Sequence, residues 1–326
     1  MRITVLGAGA WGTALARLLQ QGENSVTLWG HDADHLEEVR RAGCNERYLA
    51  GIQLPPELIL ECELRAALAR PECVVVAVPS KAFREVTSAL RDFQGLITSV
   101  TKGIEYDSGL TMCGILAENA PGARCAALSG PTFAIEVARD IPSAIVTASR
   151  DPLTANDVQK LFNRPSFRVY TSTDLLGVEL GGALKNVIAI AAGIGDGLGF
   201  GDNAKAALVT RAIVEIRRLG VACGAEIETF TGLSALGDLM VTCFSRHSRN
   251  RRFGEQIGQA ESPEAIARNM SGIAEGYPTA RSAYQLARKH DVITPVIDET
   301  YAMLYEGKDV RQAVRDLMSR DPKPES

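Results

Sequence analysis

The hexapeptide Gly7-Ala8-Gly9-Ala10-Trp11-Gly12 lies between a short apolar run, Ile3 to Leu6, and a helical pattern, Thr13 to Gln20. Strand, GxGxxG turn and helix in that order admit few folds, because each glycine answers a separate steric demand. Gly7 permits the tight turn, Gly9 lets the backbone approach a pyrophosphate, and Gly12 lets the helix pack closely on the strand. The helix N-terminus then offers amide donors and a positive dipole end to phosphates. A glycine-rich turn without a ligand would look similar in isolation. At residue 7 of a strand–helix alternation, the dinucleotide reading is favoured.

The alternation continues. Strands are expected at Ser25–Trp29, Cys73–Val78, Leu96–Val100, Cys125–Leu128, Ser143–Ala148 and Phe167–Tyr170, with a helix over Pro152–Phe162. The run Cys73–Val78 is almost continuously apolar, as a strand covered on both faces should be. Ligands of open α/β sheets bind beyond the carboxyl ends of the strands, and Lys102, Gly130 and Thr132 all fall at such ends. A lysine, a glycine amide and a hydroxyl converging on one crevice suit an anion. The second strand ends Trp29-Gly30-His31, and the acid that would bind a ribose 2′-hydroxyl comes one residue late, at Asp32. That leaves room for a 2′-phosphate opposite His31, so the reading leans to NADPH over NADH. His31 and His35 have helical spacing, but a polar N-terminal cap suits them better than a metal. No metal is expected.

From Glu179 to Asn203 the pattern changes. Leu180 to Ile194 is small or apolar at almost every position, as in a helix within a core. Lys185 breaks the rule, with Ile188, Ala189 and Ala192 on its own face. A lysine held there either snorkels to the surface or sits in a cleft with a lowered pKa, able to exchange a proton. Gly193, Gly195 and Asp196 are expected to end this helix before it reaches membrane-spanning length. Further helices are expected over Ala204–Cys223, Ser262–Met270, Glu275–His290, Val296–Tyr305 and Val310–Met318. Between them, Cys243 to Arg252 is either a solvated basic turn or a phosphate clamp, for which arginine's planar fork is well suited. The fold class is therefore an α/β N-terminal Rossmann-type dinucleotide-binding domain followed by an all-α C-terminal domain. Residues 1–178 and 179–326 form the two units, with the tail Asp321–Ser326 disordered.

The net charge of −4 gives no basic excess to suggest nucleic acid or an anionic membrane. Seven cysteines without a Cys-x-x-Cys pair indicate free thiols in a reducing compartment. With a strand expected from Arg2, no signal peptide is expected, so the location is read as cytoplasmic.

Ten stretches carry a resemblance: GAGAWGTALA from residue 7, LWGHD from 28, NERYL from 45, VAVPS from 76, TKGIE from 101, LSGPTFA from 128, ELGGALKNVIAIAAGI from 179, LSALGDLMVTC from 233, SRNRRFG from 248 and AEG from 274. Together they resemble the bacterial-type NAD(P)-dependent glycerol-3-phosphate dehydrogenases along almost the whole chain. The resemblance implies reversible reduction of dihydroxyacetone phosphate to sn-glycerol 3-phosphate for glycerophospholipid synthesis, with NADP(H) or NAD(H) as cofactor. It implies cofactor contacts at Ala10, Trp11, His31, Tyr48, Lys102, Ala134, Arg249, Ile273 and Glu275, beside Gly7, Gly9 and Gly12. Substrate contacts fall on Lys102, Gly130, Thr132, Lys185, Asp238, Ser248, Arg249 and Asn250, with Lys185 as the general acid/base. Ala10 and Thr132 stand where serine is common, and Tyr277 where a smaller residue is common. Other dehydrogenases with a Rossmann and a helical domain are the nearest rivals. A nucleotide-sugar dehydrogenase would need a nucleophilic cysteine, and Cys243 reads better as a small core residue. The expected partner is a small-molecule substrate, with a homodimer as an option and neither nucleic acid nor stable membrane insertion.

Overall fold

The computed structural model describes residues 1–270, 272–322 and 324. Strands β1 (Arg2–Leu6), β2 (Ser25–Trp29), β3 (Ile59–Glu61), β4 (Cys73–Val76), β5 (Leu96–Ser99), β6 (Arg124–Ser129), β7 (Ser143–Ala148) and β8 (Phe167–Ser172) form one sheet. Its order is β3-β2-β1-β4-β5-β6-β7-β8. All neighbours run parallel except β6 and β7, where Leu128 faces Thr147 in an antiparallel pair. The first six strands form a doubly wound sheet whose order reverses between β1 and β4, and ligands bind in the crevice outside such a switch point. Leu15, Leu19 and Phe162 pack on one face, and Phe83, Ile115 and Leu116 on the other. Cover on both faces is why the inner strands read as continuous apolar runs. Strand β3 was not anticipated: three residues at the sheet edge, with Ile59 exposed, are too short to show an alternation.

The central helix, Leu175–Gly197, begins where Asp174 accepts from the Gly177 amide at 2.9 Å. It does not stop at Gly193. It continues through Gly195 and Asp196 to Gly197 because the helix Arg249–Gly258 crosses it backbone to backbone. A Cβ at Gly193 would lie 1.9 Å from the Arg251 carbonyl oxygen, and one at Gly254 would lie 2.0 Å from that of Ile190. Glycine's small helix penalty of about 1 kcal/mol is offset by this close packing. The expectation that no segment reaches membrane-spanning length is therefore corrected. This helix is long and apolar enough, but 78% of its most apolar window is buried inside the fold, which makes it a core helix.

The helices Asp202–Ala222, Gly276–Lys289 and Pro295–Tyr305 pack around it, and Val187, Ile216, Phe230, Leu239, Phe253 and Ile297 share one core. At its start, Val178 packs instead with Val146 and Ala148 of β7, so the helix bridges sheet and helical layer. Of the tail Asp321–Ser326, for which disorder is expected, residues 323, 325 and 326 lie outside the described residues.

Candidate active site

The glycine turn has the geometry its three glycines require. Gly7 has φ +120°, and a Cβ there would lie 2.8 Å from the Ala77 carbonyl oxygen. At Gly12 a Cβ would lie 1.9 Å from the Gly7 oxygen, whereas at Gly9 nothing stands within 4 Å. Two glycines are thus filled by backbone and the middle one faces open space. Gly9 also caps the helix Ala10–Gln20 without a side-chain acceptor, leaving first-turn amides directed at that space. Asn45, fully buried, donates to the Ala8 carbonyl at 3.0 Å and to Thr13 Oγ1 at 2.8 Å, which fixes the turn. Trp11 and Ala134 pack beside it against Leu49 and Ile52. These residues fit the diphosphate of a dinucleotide.

At the carboxyl ends of β5 and β6 the central helix brings Lys185 into a polar cluster. Gly182 makes the approach possible, since a Cβ there would lie 2.5 Å from Ser129 Oγ. Lys185 Nζ donates to Thr242 Oγ1 at 2.7 Å and lies 3.1 Å from Asp238 Oδ1. Lys102 Nζ lies 2.5 Å from Asp238 Oδ2 and donates to the Gly130 carbonyl at 3.2 Å. Thr132 Oγ1 donates to that same carbonyl at 3.1 Å. Lys185 and Asp238 are both buried. Burial pushes the Lys185 ammonium down to about 8, with Lys102 adding to the fall and Asp238 opposing it. Burial would raise the Asp238 carboxyl, but the two lysines hold it below its ordinary range. The arrangement is a lysine poised near neutrality, able to give or take a proton.

The opposite wall comes from the helical half. Ser248 caps the helix Arg249–Gly258 by accepting from the Arg251 amide at 3.1 Å, so the stretch read as a turn or clamp is a helix start. Its arginines diverge. Arg251 Nε donates to Asp196 at 2.6 Å, away from Arg249, whose side chain is solvent-accessible. Neighbouring protein atoms still crowd Arg249, and this desolvation lowers its pKa while nearby Glu275 opposes the shift. Asn250 Nδ2 donates to Asn186 Oδ1 at 2.9 Å, and its Oδ1 accepts from the Gly276 amide at 2.9 Å, so its side chain ties the wall together. Ile273 is exposed beside it.

Comparison with known proteins decides the family. The description "NAD-dependent glycerol-3-phosphate dehydrogenase N-terminus" matches residues 2–155, and its C-terminus counterpart matches residues 174–315. The chain belongs to the NAD-dependent glycerol-3-phosphate dehydrogenase family. A glycerol-3-phosphate dehydrogenase [NAD(P)+] from Chlorobium limicola is 46% identical over 331 residues, spanning 100% of this chain and 99% of that one. One from Geobacter sulfurreducens is 47% identical over 330 residues, spanning 99% and 98%. The crystal structure of the Coxiella burnetii glycerol-3-phosphate dehydrogenase aligns with TM-score 0.94 at 38% identity, covering 98% of this chain and 99% of that one.

In this glycerol-3-phosphate dehydrogenase family member, the end of β2 departs from the sequence reading. The helix cap is neither His31 nor His35 but Asp32, which accepts from the His35 amide at 2.9 Å and pairs with Arg47 at 3.1 Å. His31 is exposed, while His35 is buried edge-on to Tyr48 with ring centroids 5.2 Å apart. Cys243 lies in the core, its thiol pushed up to about 12 by burial, as a structural cysteine should be. Thr242, Asn186 and Ser80 were missed. Thr242 stands four residues after Asp238, on the same helix face, and that spacing was the available signal.

Proposed function

We propose that the chain catalyses the reversible reduction of dihydroxyacetone phosphate to sn-glycerol 3-phosphate with NAD(P)H, supplying glycerophospholipid synthesis. The observation that carries this reading is the buried Lys185 beside Asp238 and Thr242, at the sheet's carboxyl edge, in a chain of this family. The dinucleotide, when bound, supplies the hydride. Lys185 has three N–H donors, and Thr242 and Asp238 account for two. The third polarises the ketone oxygen and then protonates it. In reverse, the neutral amine removes the alcohol proton. Asp238, clamped by Lys102, holds the ammonium in place. Substrate is held by Lys102, Gly130, Thr132, Asp238, Ser248, Arg249 and Asn250, with the Arg249 fork suited to the phosphate.

The glycine turn, Ala10, Trp11, Tyr48, Lys102, Ala134, Arg249, Ile273 and Glu275 hold the cofactor. NADPH is the preferred form. Asp32 is engaged by the His35 amide and by Arg47, which takes its carboxylate away from a ribose hydroxyl and leaves His31 to meet a 2′-phosphate. The functional units divide as 1–178 and 179–326, and the active species is a homodimer in the cytoplasm.

Loss of absorbance at 340 nm on mixing protein, NADPH and dihydroxyacetone phosphate tests the reading. Tight NADPH binding without turnover would leave a dinucleotide sensor instead.

A further inference from the structure

Ser80 opens the helix Ser80–Thr87 directly beyond β4, facing the crevice at the switch point. Both its donors go to one carboxylate. The Ser80 amide donates to Glu275 Oε1 at 3.1 Å and the hydroxyl to Oε2 at 2.5 Å, joining the sheet to the helical half. A carboxylate at a helix N-terminus is favoured by the dipole as well as by these bonds. On its other side Ser80 is wedged against the segment that carries Lys102. A Cβ at Gly103 would lie 2.6 Å from the Ser80 Cβ, and Thr101 Oγ1 fastens that segment to the Val78 carbonyl at 2.7 Å. Beyond Glu275, the Gly276 amide is held by Asn250, and a Cβ at Gly272 would lie 2.9 Å from the Arg249 guanidinium. One serine therefore links two strand-end segments to the wall that bears Arg249.

We propose that Ser80 is a positioning residue for cofactor binding: its paired hydrogen bonds to Glu275 set the separation between the glycine turn and the Arg249 wall. The inference rests on the reading that this crevice binds NAD(P)H. Both Ser80 donors go to Glu275 and neither to the Lys185 cluster, so loss of the hydroxyl loosens the grip on the dinucleotide while the Lys185–Asp238–Lys102 contacts stay made.

The experiment compares wild type, Ser80→Ala, Glu275→Gln and the double variant. NADPH affinity is measured by quenching of tryptophan fluorescence, alongside kcat and KM with dihydroxyacetone phosphate and the melting temperature. Losing one hydrogen bond to a charged group corresponds to roughly a tenfold rise in the Kd and KM for NADPH. The kcat of Ser80→Ala at saturation should stay within about twofold of wild type. Because both single changes break one clasp, the double variant should bind no more weakly than the weaker single variant. Wild-type affinity in folded Ser80→Ala, additive losses in the double variant, or a fall in kcat at unchanged KM would each overturn the proposal. A lower melting temperature with wild-type affinity would make the clasp purely structural. Should Ser80→Ala fail to fold, Ser80→Cys, which replaces the donating hydroxyl with a weak thiol donor of similar size, carries the same affinity test, and wild-type binding there overturns the proposal. Wild-type protein that binds no NADPH would sink the functional reading itself, a result distinct from all of these.

Discussion

Lys185 acquires its chemistry from three neighbours that lie far from it in the sequence. With an ammonium pKa near 8, it is charged below that value and neutral above it. Ketone reduction needs the charged form, so kcat for reduction should fall as pH rises through about 8, while alcohol oxidation rises over the same range. Asp238 opposes the depression, so Asp238→Asn should move both limbs to lower pH; initial rates across pH 6 to 10 check both statements. Lys185→Ala should lower kcat by roughly a hundredfold to ten-thousandfold with NADPH affinity nearly intact, read from turnover and fluorescence titration. An equal loss of affinity and rate would mark the lysine as structural. Arg249→Lys should raise the substrate KM about tenfold, since one ammonium does not reproduce a planar fork. The apolar face around Lys185 was visible in the sequence, but its partners Asp238, Lys102 and Thr242 came together only through the fold.

The central helix and the helix Arg249–Gly258 depend on having almost no side chains where they cross. Gly254→Ala should cost more than about 3 kcal/mol, because its Cβ would fall 2.0 Å from a backbone oxygen that has nowhere to move. Gly195 is the contrast within the same helix. A Cβ there meets only Phe200 at 3.7 Å, so Gly195→Ala should be neutral or stabilising by up to about 1 kcal/mol. Urea unfolding of the two variants checks the pair. A second element-scale effect concerns Glu215, which accepts from the Val296 amide at 2.9 Å at the start of the helix Pro295–Tyr305. Burial raises its carboxyl to about 7, against the pull of the Val296 and Ile297 amides. Between the unfolded value of 4.5 and the folded value of about 7, the unfolded chain has lost a proton that the folded chain keeps. Stability should therefore decline across that window, by up to about 3 kcal/mol from this group, and Glu215→Gln should flatten the decline in urea midpoints.

At the scale of the molecule, sheet and helical layer share contacts that make separate unfolding costly. The central helix packs on β7 at one end and in the helical core beyond, and Glu179 accepts from Thr111 Oγ1 at 2.7 Å and the Cys113 amide at 2.8 Å. Calorimetry should therefore give one cooperative transition, and NADPH at about a hundred times its Kd should stabilise the whole by about 2.7 kcal/mol. Two resolved transitions, with only the first shifted by NADPH, would show the halves to be energetically independent.

The sequence by itself determined what short-range sterics and periodicity can encode. Gly7, Gly9 and Gly12 marked a tight strand–helix turn because each is needed within one junction, and the apolar runs marked the inner strands for a similarly local reason. What lay beyond reach was decided by contacts between distant segments. Gly193 read as a helix breaker because a glycine's local cost is visible and the helix that crosses over it is not. Asp32 looked like a displaced ribose ligand until the turn after β2 set it at the helix N-terminus beside Arg47. The pairing of Ser80 with Glu275 was beyond reach, since the two stand 195 residues apart and only the closure of one half on the other brings them together.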